Sequence, residues 1–270
     1  VTDRCNFRCR YCMPADGLEW LPREELLSFE EIERVARLMV ERYGISSIRL
    51  TGGEPTVRAR LTTLVRMLAV LPVDLSMTTN GATLKMVADD LAAAGLRRIN
   101  VSLDSLRRDR FLELTLRDEL TAVLDGIDAA IGAGFDPVKV NVVVMRGVND
   151  DELVEFAGFG RERGVIVRFI EFMDVGTTNQ RRPEDVFSGA EIVERVAMDI
   201  GHRDPEALVT GDDVAGVVAI GDPYRPAGVP NFDEPGPSRG GFQSSAPKDY
   251  GTLNEKMTWS CRPYDLACDA

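Results

Sequence analysis

Histidine is nearly missing from this 270-residue sequence, where His202 stands alone. A zinc site made from cysteine and histidine pairs is short of ligands, because no HxxxH and no CxxC pair beside the first cysteines is present. No uninterrupted apolar run approaches the roughly 18 residues of a membrane span. The first thirty residues also lack the basic-then-apolar layout of a signal peptide. The expectation is a soluble, cytoplasmic protein with no membrane partner. Basic residues are in the minority, with 32 Lys and Arg against 44 Asp and Glu for a formal net charge of −12. That balance speaks against a general nucleic-acid binder. Any anionic ligand has to be held by local charges.

A chain of 270 residues that is 44% hydrophobic can bury a sizeable core, as one large α/β barrel or two modest domains. Charge and proline are distributed unevenly. Residues 1–180 carry 23 basic and 28 acidic side chains, whereas residues 181–270 carry 9 and 16, together with nine of the fourteen prolines. Regular periodicity breaks from about Gly201 onward. The expected organisation is a core barrel over 1–180 with a truncated first strand, a helix over 181–200, and a Pro/Gly-rich acidic tail over 201–270 that orders poorly.

Before that boundary, short β-branched runs alternate with segments of helical period. Ile48–Thr51, Val73–Thr79, Ile99–Leu103, Val138–Val144 and Val165–Phe172 read as strands. Ile32, Val35, Ala36, Met39 and Val40 are spaced as one apolar helix face, as are Leu61, Leu64, Val65 and Leu68, and again Val123, Ile127, Ala130 and Ile131. Gly44, Gly95, Gly134 and Gly164 are placed to close helices in a left-handed conformation. Val1 and Thr2 read as the stump of one more strand, for six in all. Repeated β-α units give an α/β fold with a parallel sheet, open or curled into a complete or partial barrel.

In such folds the chemistry gathers at the carboxyl ends of the strands. Those ends carry, in order, Cys5, Cys9 and Cys12; Thr51 to Pro55 as TGGEP; Thr78 to Gly81 as TTNG; Ser102 and Asp104; Lys139 and Asn141; and Glu171 and Met173. This rim is the predicted site. The C-x3-C-x2-C loop brings three thiols together, and strain argues against disulfides among them. Structural zinc normally takes four protein ligands. A four-iron cluster bound by three cysteines keeps one iron open for another ligand. Spacing alone leaves both open, along with an unrelated group of thiols. TGGEP alone reads as a glycine turn into a helix, Asn80-Gly81 as an ordinary turn dipeptide, and Met173 as core filler. Arg49 and Lys139 alone read as interior cations paired with Glu54, Asp104 or Glu171.

The pattern CNFRCRYC, with Tyr11 just before the last cysteine, resembles the signature of the radical S-adenosylmethionine superfamily. TGGEP matches that family's GGE motif. VTDRCNFRCRYCMP, IRLTGGEPTVR, TTNG, INVSLDSL, VKVNVVVMRGVN and RFIEFMDVG together, over residues 1 to about 176, resemble the GTP 3′,8-cyclase family of molybdenum cofactor biosynthesis. The resemblance implies an incomplete (β/α)6 TIM-like barrel. It implies a [4Fe-4S] cluster on Cys5, Cys9 and Cys12, S-adenosylmethionine against Tyr11, Gly53, Ser102 and Met173, and GTP against Arg49, Thr78 and Lys139. No residue is assigned to proton transfer. The activity implied is abstraction of the ribose 3′ hydrogen of GTP by a 5′-deoxyadenosyl radical, followed by closure onto guanine C8. An electron donor, a homodimer and a next-step pathway enzyme are implied by resemblance only.

The sequence departs from that family in two places. The family's first strand, with an arginine near its substrate, precedes the point where Val1 stands. Its C-terminal part carries a second C-x2-C followed by another cysteine, whereas residues 201–270 contain only Cys261 and Cys268, to which no ligand role is assigned. The tail is therefore read as foreign to the family's C-terminal domain, as a shifted reading frame or a truncation would produce. A different radical enzyme, or an inactive copy serving as a metal-binding barrel, are the alternatives.

Overall fold

The computed structural model describes residues 1–14, 20–173, 183–203 and 217–220. In chain order its main elements are α1 (Phe29–Tyr43), β1 (Ser47–Leu50), α2 (Leu61–Ala69), β2 (Asp74–Thr79), α3 (Ala88–Ala93), β3 (Arg98–Ser102), α4 (Arg108–Thr115), α5 (Leu120–Gly132), β4 (Val138–Val144), α6 (Leu153–Arg163), β5 (Ile166–Glu171), α7 (Gly189–Arg203) and β6 (Val217–Ile220). The sheet order is β1-β2-β3-β4-β5-β6. Contacts divide the chain into two compact units. The first comprises Val1–Leu103 and Arg107–Val140, the second Asp104–Leu106 and Asn141–Ala270.

In the first unit β1, β2 and β3 run parallel, with Arg49 opposite Ser76 and Thr78 opposite Asn100. Side chains alternate across a strand, and in-register neighbours share a face. One face therefore holds Ile48, Leu50, Leu75, Met77, Ile99 and Val101, most of them fully buried. The other face is polar: Arg49, Asp74, Ser76, Thr78, Arg98, Asn100 and Ser102. The apolar face is covered by helices such as α2, whose Leu61, Leu64, Val65 and Leu68 are all buried as their spacing predicts, and α5, which buries Val123, Ile127 and Ala130.

Helix ends follow the sequence signals. Ser28 and Glu31 form a capping box at the start of α1. Gly44 and Gly164 close α1 and α6 at φ of 68° and 66°, and Gly95 and Gly134 take positive φ just beyond α3 and α5.

The second unit pairs β5 with β6 in parallel, Val167 opposite Val217 and Ile170 opposite Ile220. Buried Glu152 accepts hydrogen bonds from Ser105 Oγ at 2.8 Å and Leu106 N–H at 2.7 Å. The Glu171 carboxylate at the end of β5 accepts from Gly189 N–H, the first residue of α7. Among the described residues no helix is long and apolar enough to cross a membrane.

Two expectations are corrected. Val1 and Thr2 do not form a strand. The Val1 ammonium donates to Thr51 O at 2.7 Å, and Gly53 N–H donates to Thr2 O at 2.7 Å, so this segment is tied to the loop beyond β1 and not to a strand's edge. The sixth strand comes from Val217–Ile220 in the Pro/Gly-rich region. The apolar stripe of α1 buries no residue, and Val35 and Met39 are 47% and 42% exposed. α1 packs against α2, and β1, at the edge of the sheet, pairs among the described residues with β2 alone. Cys261 and Cys268 fall outside the described residues, and His202 sits in the last turn of α7.

Candidate functional site

The cysteine loop is fastened by its own peptide groups. Gly53 N–H donates to Thr2 O and Glu54 N–H to Arg4 O, both at 2.7 Å. On the other side Arg8 N–H donates to Thr115 O at 3.0 Å and Arg10 N–H to Leu114 O at 2.9 Å. Those two carbonyls end α4, where carbonyls have no partner within the helix, so the loop caps the helix while the helix fixes the loop. Phe7 is buried edge-on against Phe111 of α4, with ring centroids 5.8 Å apart. Arg117 adds a bond from Nε to Asn6 O at 2.9 Å. Within the loop, Cys12 N–H and Met13 N–H both donate to Cys9 O at 2.9 Å, which turns the chain between the second and third thiols.

The glycines of TGGEP are required by the packing of the neighbouring backbone. A Cβ on Gly53 would lie 2.5 Å from the Arg4 carbonyl carbon and 2.6 Å from Asp3 O, so the surface that needs the missing side chain is the cysteine loop itself. Glu54, 1% exposed, is the junction behind it. Its Oε1 accepts from Thr56 N–H at 3.0 Å, Thr56 Oγ1 at 2.6 Å and Thr79 Oγ1 at 2.7 Å, and its Oε2 accepts from Asn80 N–H at 2.6 Å. One carboxylate thus ties the ends of β1 and β2 together.

Asn80, whose dipeptide with Gly81 reads from sequence as a plain turn, reaches the first thiol. Its Oδ1 accepts from Ala82 N–H at 3.1 Å, which fixes the orientation of the amide, and Nδ2 then donates to Asn6 Oδ1 at 2.7 Å and to Cys5 Sγ at 3.9 Å. Phe7 N–H donates to the same sulfur at 3.4 Å. Burial pushes the Cys5 thiol above its ordinary pKa, with nearby Glu54 adding to the rise, while the Phe7 and Asn80 donors and the Arg8 charge oppose it. The sequence signal that could have found Asn80 is its place one residue beyond a strand that ends at the cysteine loop.

Cys5 and Cys9 are half-buried and Cys12 is exposed, and none of the three is in a disulfide. Among the described residues no three His, Cys, Asp or Glu side chains converge closely enough to hold a single metal ion. A four-iron cluster takes its thiolates on separate corner irons, so they stand apart and do not meet at one atom. Three thiols on one partly open loop, with N–H donors facing one of them, are a donor set that fits such a cluster.

The other sequence-predicted residues divide between the units. Arg49, Thr78 and Ser102 lie on the same polar face of β1, β2 and β3, in successive rows that rise toward the cysteine loop. Arg49 is exposed, and Thr78 and Ser102 are half-buried. Asn100 Nδ2 donates to Thr78 Oγ1 at 3.4 Å. Lys139 on β4 is half-buried between buried Val138 and Val140, Tyr11 lies within the cysteine loop between Cys9 and Cys12, and Gly53 abuts the segment that leads into it. Met173 is half-buried two residues beyond β5, in the second unit.

Comparison with known proteins follows the same lines. The profile described as the Radical SAM superfamily matches residues 1–160. A GTP 3′,8-cyclase of Acidothermus cellulolyticus is 53% identical over 204 residues, covering 73% of this chain and 56% of the relative. A protein of the same name from Rhodopirellula baltica is 50% identical over 191 residues, covering 70% and 53%. One from Moorella thermoacetica is 52% identical over 179 residues, covering 66% and 55%. The chain thus spans little more than half the length of these relatives. Among solved structures, Streptococcus suis SuiB superposes with a TM-score of 0.61 at 19% identity, covering 75% of this chain and 46% of SuiB, a likeness of fold.

Proposed function

This chain belongs to the radical SAM superfamily, and from that premise we propose that it converts GTP to (8S)-3′,8-cyclo-7,8-dihydroguanosine 5′-triphosphate, a step of molybdenum cofactor biosynthesis. The observation that carries the proposal is the single polar face on which Arg49, Thr78 and Ser102 rise in successive rows toward the cysteine loop. The likeness to relatives named GTP 3′,8-cyclase supplies the substrate.

Cys5, Cys9 and Cys12 hold the [4Fe-4S] cluster, leaving one iron open for S-adenosylmethionine. When bound, the two cofactors would supply a 5′-deoxyadenosyl radical that takes the ribose 3′ hydrogen; after the sugar closes on guanine C8, one further electron from the external donor and a proton from solvent give the dihydro product. The protein's part is to bind, orient and shield. Exposed Arg49 and half-buried Lys139 offer cations to the triphosphate in a chain whose overall charge is acidic, and the Thr78 hydroxyl offers a neutral contact beside them. Tyr11, Gly53 and Ser102 line the S-adenosylmethionine side. Met173 is assigned to that cofactor by resemblance alone. The reading includes an external electron donor, a homodimer, a next-step enzyme that consumes the product, and a cytoplasmic location.

A second reading is favoured by one sequence observation: beyond Cys12 only Cys261 and Cys268 occur, with six residues between them, so a second C-x2-C cluster motif is missing from residues 201–270. On that reading S-adenosylmethionine is cleaved without coupling to GTP. One experiment separates the two. The protein is reconstituted anaerobically with iron and sulfide, expected to hold about four irons per chain, and given a chemical reductant, S-adenosylmethionine and GTP deuterated at the ribose 3′ position. Deuterium in 5′-deoxyadenosine, formed only when GTP is present, supports the cyclase. The same yield of unlabelled 5′-deoxyadenosine without GTP supports the second reading, and about eight irons per chain would overturn the account of the tail.

A further inference from the structure

The thiol of Cys5 is met by two N–H donors, and they differ in kind. Phe7 N–H, at 3.4 Å, belongs to the loop's own backbone. The Asn80 amide, at 3.9 Å, arrives from the end of β2, 75 residues away in sequence. Asn80 is held from three sides: its backbone N–H on Glu54 Oε2 at 2.6 Å, its Oδ1 under Ala82 N–H at 3.1 Å, and its Nδ2 on Asn6 Oδ1 at 2.7 Å. Gly81 follows at φ of 79°, where a Cβ would come within 2.8 Å of Val101 Cγ1, so the turn that aims Asn80 admits little change. A side chain needed only for a turn would not require its NH2 group to face sulfur.

We propose that Asn80 is a positioning residue for the cluster, whose side-chain N–H bonds the Cys5 sulfur and raises the cluster's reduction potential. Hydrogen bonds to cluster sulfur favour the reduced form, which carries one more negative charge. This rests on the cluster part of the proposed function and is independent of the substrate. Asn80→Ala removes the donor. Asn80→Asp keeps an oxygen for Ala82 N–H while placing a carboxylate where the NH2 stood. Arg10→Lys, which keeps the charge while altering the exposed pair with Glu113 at 2.8 Å, is the control on the same loop.

The test is a potentiometric titration of the reconstituted cluster followed by electron paramagnetic resonance, with iron content and thermal unfolding measured on each protein. With iron and melting unchanged, Asn80→Ala is expected to shift the reduced-to-oxidised ratio at a given potential about tenfold toward oxidised, equivalent to ~59 mV for one electron. Asn80→Asp is expected to shift it further the same way, and Arg10→Lys not at all. Equal potentials in all four proteins, or a potential for Asn80→Asp above that of Asn80→Ala, would overturn the proposal. So would variants that unfold or shed iron, because Asn80 would then be a structural post of the loop and not a donor to sulfur. If the unmodified protein takes up no cluster, the proposed function fails with it. If it holds the cluster and only these potentials disagree, the proposed function stands and this inference falls.

Discussion

Replacing Gly53 by alanine tests the fastening of the cysteine loop most directly. A Cβ there would stand 2.5 Å from the Arg4 carbonyl carbon, where ordinary contact begins near 3.4 Å, so the loop has to retreat by about 1 Å. That retreat stretches the bonds from Gly53 N–H to Thr2 O and from Glu54 N–H to Arg4 O from 2.7 Å to about 3.7 Å, outside hydrogen-bonding range. Losing them costs about 1 kcal/mol each, and forcing a side chain into packed backbone adds about 1–3 kcal/mol. The expected loss is therefore about 3–5 kcal/mol. Gly158→Ala, in α6 with open space around the new Cβ, is the opposite case and should gain up to about 1 kcal/mol. Urea unfolding followed by circular dichroism gives both numbers, and iron uptake in anaerobic reconstitution reports whether the thiols still converge. A Gly53→Ala protein that unfolds within about 1 kcal/mol of its parent and binds the same iron would refute the reasoning.

Other outcomes follow from neighbouring contacts. Glu54→Gln keeps shape but turns an NH2 toward either Asn80 N–H or the three donors on the other oxygen, so it should cost about 1–3 kcal/mol in the same unfolding assay, with Glu54→Ala costing more. Arg49→Ala should raise the KM for GTP about 10- to 100-fold if a charge-assisted phosphate contact is lost, and an unchanged KM would remove Arg49 from the site. Although burial alone would raise the Glu191 carboxyl, its bonds with Arg146 and with the Ser188 hydroxyl and N–H outweigh that and hold it below its ordinary pKa. The stability it lends is therefore complete above the ordinary carboxylate range and drains away as pH falls through the lowered value. Amide exchange over the first turn of α7 should quicken in acid in the parent, and the pH dependence should flatten in Glu191→Gln. Ser188→Ala should cost about 1 kcal/mol at neutral pH through loss of the same cap.

Much of the fold was legible because local chemistry and tertiary demand agree. Val138–Val144 was delimited to the residue, and the other four runs lie within a residue or so of β1, β2, β3 and β5. Period 2 orders side chains within one strand only, and that Arg49, Thr78 and Ser102 share a face follows from the register between β1, β2 and β3. What was misread depended on partners far along the chain. The stripe on α1 has the spacing of a core helix, yet spacing does not say whether another element covers it. Val1 and Thr2 look like a strand end, but their hydrogen bonds go to the glycine loop. Val217–Ile220 is a β-branched run whose strand signal was drowned by the prolines and glycines around it. A turn explains an Asn-Gly pair fully when only neighbours in sequence are considered, so nothing local marks Asn80 as reaching Cys5.

Four of the anchors of the cysteine loop are peptide groups on both partners: Gly53 and Glu54 N–H on one side, Thr115 and Leu114 carbonyls on the other. A frame written in main chain is indifferent to most of the side chains it carries. Arg4 and Arg10, which take part through their backbone, are therefore open to exchange, and evolution or an engineer can repaint the charge around the thiols there while the thiols keep their places.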